Sequence, residues 1–221
     1  MSGLTRRFAL GAAAVLAAGA GVIASAAPAT VRKSRVAAPG DMNLGDPKAT
    51  VHVIEYMSLT CSHCASFNAE VFPAFKAKYV DTGRVYYTVR ELLTAPAQVA
   101  AAGVMMARCN GGARYFPIVD QVLRSQSRWQ TGDIKSIFLD IARANGLTES
   151  QFEACLVDEA ALTALERRVQ YATETDKVNS TPTFFINGAL MPNDRVPSLA
   201  DMDAAIIRAM KSAARQPRGG R

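Results

Sequence analysis

Val51-His52-Val53-Ile54-Glu55-Tyr56-Met57-Ser58-Leu59-Thr60-Cys61-Ser62-His63-Cys64 is the stretch whose reading decides the fold. Val51, Val53 and Ile54 belong to a near-continuous apolar run of the kind that forms a strand buried on both faces, and Ser58-Leu59-Thr60 is a helix start. Beyond it, Cys64, Phe67, Val71 and Phe75 recur at helical spacing, so the C-x-x-C falls where a buried strand hands over to an amphipathic helix. At that position unpaired backbone N–H groups and the positive end of the helix dipole favour a thiolate at Cys61, the attacking sulfur. His63 adds a donor, or a positive charge when protonated. Cys64 lies on the apolar side, placed to close a short disulfide or to resolve a mixed one. Two blander uses compete. Half of a zinc site would need ligands elsewhere, but the chain has four cysteines and two histidines, and Cys109 and Cys155 form no second C-x-x-C. A purely structural disulfide is poorly served by so short a ring.

Working outward, Gly45-Asp46-Pro47 is a turn signal that sets a short edge strand near Met42 to Leu44. Downstream, Pro73 removes a backbone donor and predicts a kink, and Asp81-Thr82-Gly83 ends the helix. Arg84 to Val89 is β-rich, giving strand-helix-strand and a parallel pair. From Pro96 the period is helical for roughly 80 residues. Asn110-Gly111-Gly112 and Asn145-Gly146 punctuate it, and Thr148-x-x-Gln151 is a capping box. The β pattern returns in Thr183 to Ile186, Asn187-Gly188 is a hairpin turn to Ala189 to Met191, and Ser198-x-x-Asp201 caps a last helix. His52 reads as an ordinary strand residue and Met105-Met106 as core; Trp129 has no assignment.

The termini carry the compartment argument. Thr5-Arg6-Arg7, an uncharged Phe8 to Ile23 and Ala24-Ser25-Ala26 make residues 1–26 a signal peptide, leaning to the twin-arginine route. A retained membrane anchor is the rival, although Ala and Gly drive insertion weakly. Either way the folded part faces an oxidising space, the periplasm. Residues 27–40 read as a flexible spacer and 215–221 as a disordered basic tail. The net charge of +6 includes Arg6 and Arg7. It is not gathered into an aromatic-bearing stripe, which argues against nucleic-acid binding.

The order β-α-β, helical insertion, β-β-α, with E-Y-M-S-L-T-C-S-H-C near one end and V-N-S-T-P-T-F-F-I-N-G near the other, closely resembles the DsbA-like exported thiol:disulfide oxidoreductases. The resemblance covers nearly all of the chain after the leader. It implies an α/β thioredoxin fold with an inserted all-helical domain, residues 41–95 and 178–214 forming the thioredoxin-like part and 96–177 the insertion. It also implies that Cys61 is the exposed nucleophile, Cys64 its buried partner and His63 the histidine that stabilises the thiolate. Pro182 matches the cis-proline beside the disulfide, and Thr181 before it presents backbone to an incoming peptide. Glu55 matches the acidic residue beneath the active site; a carboxylate buried there needs a partner or a part in proton transfer. Departures exist: Ser62 stands where many oxidases have proline, and Thr181 is a residue type also seen in isomerase relatives. Two free thiols beside a strong oxidant would not survive, so Cys109 and Cys155 are expected to form a structural disulfide, the alternative being two separately buried small hydrophobes.

The function expected on this basis is a dithiol oxidase that donates its Cys61–Cys64 disulfide to reduced exported proteins. It would need no cofactor or metal, would act as a monomer and would be reoxidised by a quinone-linked membrane protein. A disulfide isomerase or reductase is the alternative, and a non-catalytic peptide-binding module using the groove around Pro182 is a third reading.

Overall fold

β2 (Val51–Met57) is central because six of its seven residues are buried, and an apolar strand of that kind must be covered on both faces and both edges. In this computed structural model, which describes residues 38, 40–129 and 132–215, β2 pairs in parallel with β3 (Val85–Glu91), in register from Val51 opposite Val85 to Met57 opposite Glu91. β4 (Thr183–Ile186) lies antiparallel on its other side, with Glu55 opposite Phe184. β1 (Met42–Leu44) and the two-residue β5 (Ala189–Leu190) close the edges, giving the order β1-β3-β2-β4-β5. The hairpin into β5 turns on Asn187 and Gly188, both at positive φ (48° and 79°), the geometry that makes Asn-Gly the preferred pair. The leader read over 1–26, the spacer apart from Ala38 and Gly40, and residues 216–221 of the tail lie outside the described residues.

The helix that follows the cysteines is not regular. α1 (Ser62–Ser66) passes into a π-helical turn (Phe67–Val71), then α2 (Phe72–Phe75) and a second π-helical turn (Lys76–Val80). Pro73 sits in the first turn of α2, where its missing N–H and bulky ring rule out ordinary helical hydrogen bonding to the preceding turn. Phe67, Val71, Phe75 and Tyr79 nevertheless stay buried along one side, so the widened turns keep the apolar stripe against the sheet.

Between β3 and β4 come α3 (Ala97–Arg108), α4 (Tyr115–Arg124), α5 (Gln126–Trp129), α6 (Ile134–Ala144), α7 (Glu149–Leu156) and α8 (Glu159–Gln170). Thr148 and Gln151 form the capping box of α7, and Asp133 and Asp158 cap α6 and α8. The last helix, α9 (Leu199–Arg215), runs one residue into the stretch read as tail. Val53 and Phe184 of the sheet, Val104 and Phe138 of the insertion and Ile206 of α9 share one apolar interior. Cys109 and Cys155 are joined as a disulfide, Cα to Cα 5.8 Å, tying the end of α3 to α7.

Two buried ionic groups join the insertion to β3, and neither is apparent in the sequence pattern, which ends the strand at Val89. Arg90 pairs with Asp41 at 2.8 Å and Asp176 at 2.9 Å, all three side chains almost fully buried. Tyr56 hydrogen-bonds both Arg90 and Asp176. Next to it, Glu91 accepts from Arg108, Arg168 and Tyr115. The end of the spacer is hydrogen-bonded to the fold: Ala38 N–H donates to Asp41, and the exposed Gly40 carbonyl accepts from Arg108.

Candidate active site

Cys61 is the N-cap residue of α1, extended at φ −81° and ψ 120°, so its side chain sits where an N-cap acceptor meets the first free amides. Its thiol makes no capping bond of normal geometry and donates instead to the Thr181 carbonyl at 3.2 Å. Ionisation is strongly favoured. A hydrogen bond from the Cys64 thiol contributes most; partial burial opposes it, and Thr181 and the backbone N–H groups of Cys64 and His63 assist, bringing the Cys61 thiol down to about 5. The Thr181 hydroxyl is buried with no hydrogen-bond partner, yet lies close enough to the sulfur to favour the thiolate. Cys64 is the opposite case: buried (1% exposed), its thiol is pushed well up by desolvation, then by the bond to Cys61 and the charges of Glu55 and Cys61. Both cysteines are free.

β4 approaches from the other side. The Thr181–Pro182 peptide bond is cis, Pro182 is buried, and the Thr181 carbonyl lies beside the sulfur. Phe184, two residues on, packs on Phe67 with ring centroids 4.7 Å apart, fixing this segment against the helix that carries the cysteines. Glu55, on β2, is 5% exposed and takes a hydrogen bond from Tyr87 on β3. Desolvation dominates and holds its carboxyl up at about 7, with the Tyr87 bond opposing. Glu55 also borders a cavity of about 40 Å³ that Tyr87, Asn68 and Asp120 line, and Asn68 donates to Asp120 at 2.7 Å.

The structure therefore brings Cys61, Cys64, Glu55, Thr181 and Pro182 to one place. His63 is different: its ring is exposed and makes no hydrogen bond among the described residues, so it acts on the sulfur through its backbone N–H. Among the described residues no group of three or more His, Cys, Asp or Glu is arranged to hold a metal ion.

Several contacts had no signal in the pattern. Ser58, Thr60 and Thr94 form a hydroxyl cluster joining the active-site turn to the segment after β3, with Thr60 to Thr94 Oγ1 at 2.8 Å and Thr94 to Ser58 at 3.0 Å. Gln126 of α5 donates its amide to the carbonyls of Leu59 (2.8 Å) and Cys61 (3.1 Å). Trp129, unassigned from the sequence, donates to Ser125 at 2.8 Å and meets Phe138 edge-on. A polar residue beside a hydrophobic helix gives no sequence sign of such roles; only tertiary placement does.

Comparison with known proteins agrees with this geometry. The thioredoxin family model matches residues 37–207. A Rickettsia bellii protein provisionally named protein-disulfide oxidoreductase is 32% identical over 169 residues, which is 75% of this chain and 64% of that protein, so the chain spans less than two thirds of that relative. The crystal structure of Wolbachia pipientis alpha-DsbA1 superposes with a TM-score of 0.73 at 27% identity, covering 81% of this chain and 95% of that one. A protein-disulfide isomerase from Novosphingobium aromaticivorans gives 0.67 at 25% identity, covering 76% and 96%. With the sheet order, the helical insertion between β3 and β4 and the paired cysteines facing a cis-proline, the chain belongs to the thioredoxin family and is similar in structure to its DsbA proteins.

Proposed function

We propose that this chain is a thiol:disulfide oxidoreductase that donates its Cys61–Cys64 disulfide to reduced proteins after export. The observation that carries the reading is the contrast between the two sulfurs: Cys61, only partly buried and brought down to about 5, and Cys64, buried and pushed well up. A dithiol whose reduced form is stabilised in this way gives up its disulfide readily.

The steps follow from the positions of the groups. A substrate thiolate attacks the Cys61 sulfur, forming a mixed disulfide and breaking the Cys61–Cys64 bond; the electron pair leaves on Cys64. Buried, that sulfur takes up a proton, and Glu55, held up at about 7 and so retaining its proton in about half of the molecules at neutral pH, is the nearby acid. A second substrate thiolate then attacks the substrate sulfur of the mixed disulfide, and Cys61 departs as a stabilised thiolate. The substrate loses two electrons and the enzyme gains them. The Thr181 and Pro182 backbone is suited to hold the substrate peptide alongside. Turnover then requires an external oxidant, for which the family resemblance suggests a quinone-linked membrane protein. Export, by the twin-arginine route or another, rests on the leader reading. Among the described residues no helix is long and apolar enough to cross a membrane.

A second reading, disulfide isomerisation, is favoured by Ser62 between the cysteines, Thr181 before the cis-proline and the likeness to a protein named as an isomerase. Equilibration of the Cys61–Cys64 pair with glutathione, together with oxidation of a reduced dithiol peptide and refolding of a scrambled protein, distinguishes the two. The oxidase reading expects a potential well above the thioredoxin value of roughly −270 mV, rapid peptide oxidation and complete loss of activity in Cys61→Ser. Efficient unscrambling with poor peptide oxidation would overturn it.

A further inference from the structure

Gln126 stands apart from the sulfurs, yet among the described residues it is the one side chain of the insertion whose hydrogen bonds reach the backbone of the cysteine turn. One NH2 group bridges two carbonyls two residues apart, Leu59 O at 2.8 Å and Cys61 O at 3.1 Å. Both partners are acceptors, so only the nitrogen of the amide fits there, and its orientation is unambiguous. Leu59 is fully buried, and a buried carbonyl that loses its donor is costly. The Cys61 carbonyl also accepts from Ala65 N–H at 3.1 Å, so Gln126 takes the carbonyl's second lone pair at the residue that opens the helix.

Gln126 is itself held firmly. The residue before it, Ser125, is buried; its N–H donates to Gln121 and Val122 carbonyls, and its hydroxyl donates to Val122 and accepts from Trp129. Trp129 in turn stands edge-on to Phe138, centroids 5.6 Å apart. The amide is thus mounted on a braced corner between α4 and α6. On the opposite side, the Cys61 thiol meets the Thr181 carbonyl at 3.2 Å. Cys61 is thus held at its sulfur by the segment just before β4 and at its carbonyl by the insertion.

Resting on the reading of Cys61 as the exchanging sulfur, we propose that Gln126 is a positioning residue: through its bridge to Leu59 and Cys61 it holds the cysteine turn in the orientation that stabilises the thiolate, and so sets the oxidising strength of the pair. It touches neither the substrate nor the reacting atoms. The backbone N–H groups of His63 and Cys64 favour the thiolate only while the turn keeps them aimed at the sulfur, and such interactions weaken steeply with misalignment.

The test uses the full-length protein with Gln126→Met, which keeps the length and removes the donor, and Gln126→Glu, which sets a carboxylate against two carbonyls. The thiolate absorbance of Cys61 is titrated, and the equilibrium constant with glutathione is measured beside thermal unfolding. The expected result is a higher titration midpoint for Cys61 in both variants, larger for Glu. For Met the expected loss of oxidising strength is about tenfold in the equilibrium constant, equivalent to about 30 mV. Gln126→Asn withdraws the amide by one methylene and carries the test, with a smaller shift in the same direction, if the other substitutions prevent folding. An unchanged midpoint and constant in the folded variants overturns the proposal, whatever happens to thermal stability, because a merely structural contact would move only the latter. If the parent protein itself titrates at Cys61 like an ordinary thiol, the functional reading fails first and this proposal with it. A low parent midpoint with unresponsive variants overturns the proposal alone.

Discussion

At the scale of single residues, Glu55 is a carboxyl kept protonated by its surroundings. Folding holds it up at about 7 against an ordinary value of 4.5, chiefly by desolvation. Between those two pH values the unfolded chain has released the proton and the folded chain still holds it, so the unfolded state binds fewer protons and stability falls as pH rises. The contribution is complete below 4.5 and lost as the pH passes 7. Glu55→Gln is therefore expected to flatten this slope in the reduced protein and to gain up to about 3 kcal/mol by pH 8 relative to the parent, while slowing disulfide donation. Urea unfolding across pH 4 to 8 measures the first effect, and a parent slope that persists in the variant would rule it out. Glu55 is reached through the family resemblance, and the cost of burying a carboxylate argues that it has a role there. Its partner Tyr87 is not, since the pairing depends on the parallel register of β2 and β3 and not on any local motif.

Helices and turns whose logic is local could be read directly. The capping box at Thr148, the Asn187-Gly188 hairpin and the break at Pro73 follow from backbone chemistry within a few residues. The four-residue α5 could not, because it is too short for periodicity to register, although it carries Gln126. The fit of α3 over the active-site turn was equally hidden. At Gly103 an added Cβ would come within 2.7 Å of the Leu59 Cδ1 and 3.5 Å of the Phe138 ring. Leu59 is fully buried and cannot swing into solvent. Gly103→Ala is therefore expected to cost about 1–3 kcal/mol of stability by pushing on the residue two before Cys61. An unfolding midpoint equal to that of the parent would show that α3 moves aside freely.

For the molecule as a whole, the insertion is fastened to the sheet by charge as well as by apolar packing. Glu91, with no exposed side-chain surface, is shared by Arg108 and Arg168. Removing one member of a buried ion pair strands the others, so Glu91→Ala should destabilise by about 3–5 kcal/mol, measured by denaturant unfolding with an unchanged m-value. A loss under 1 kcal/mol would mean that the arginines find water instead. Charged residues at the end of a strand look like surface in a linear reading, which is why this joint, and the pairing of Asp41 with Arg90, went unseen while the order of strands and helices did not. The disulfide between Cys109 and Cys155 adds a covalent tie across 46 residues, with an upper bound of about 4 kcal/mol in the chain-entropy account. The site spans greater distances: the carbonyl that faces Cys61 belongs to a residue 120 positions later. A growing polypeptide thus exposes its reactive pair long before the opposing wall has been synthesised. The wall opposite Cys61 is complete only once Thr181 and the strand that follows it, β4, are in place.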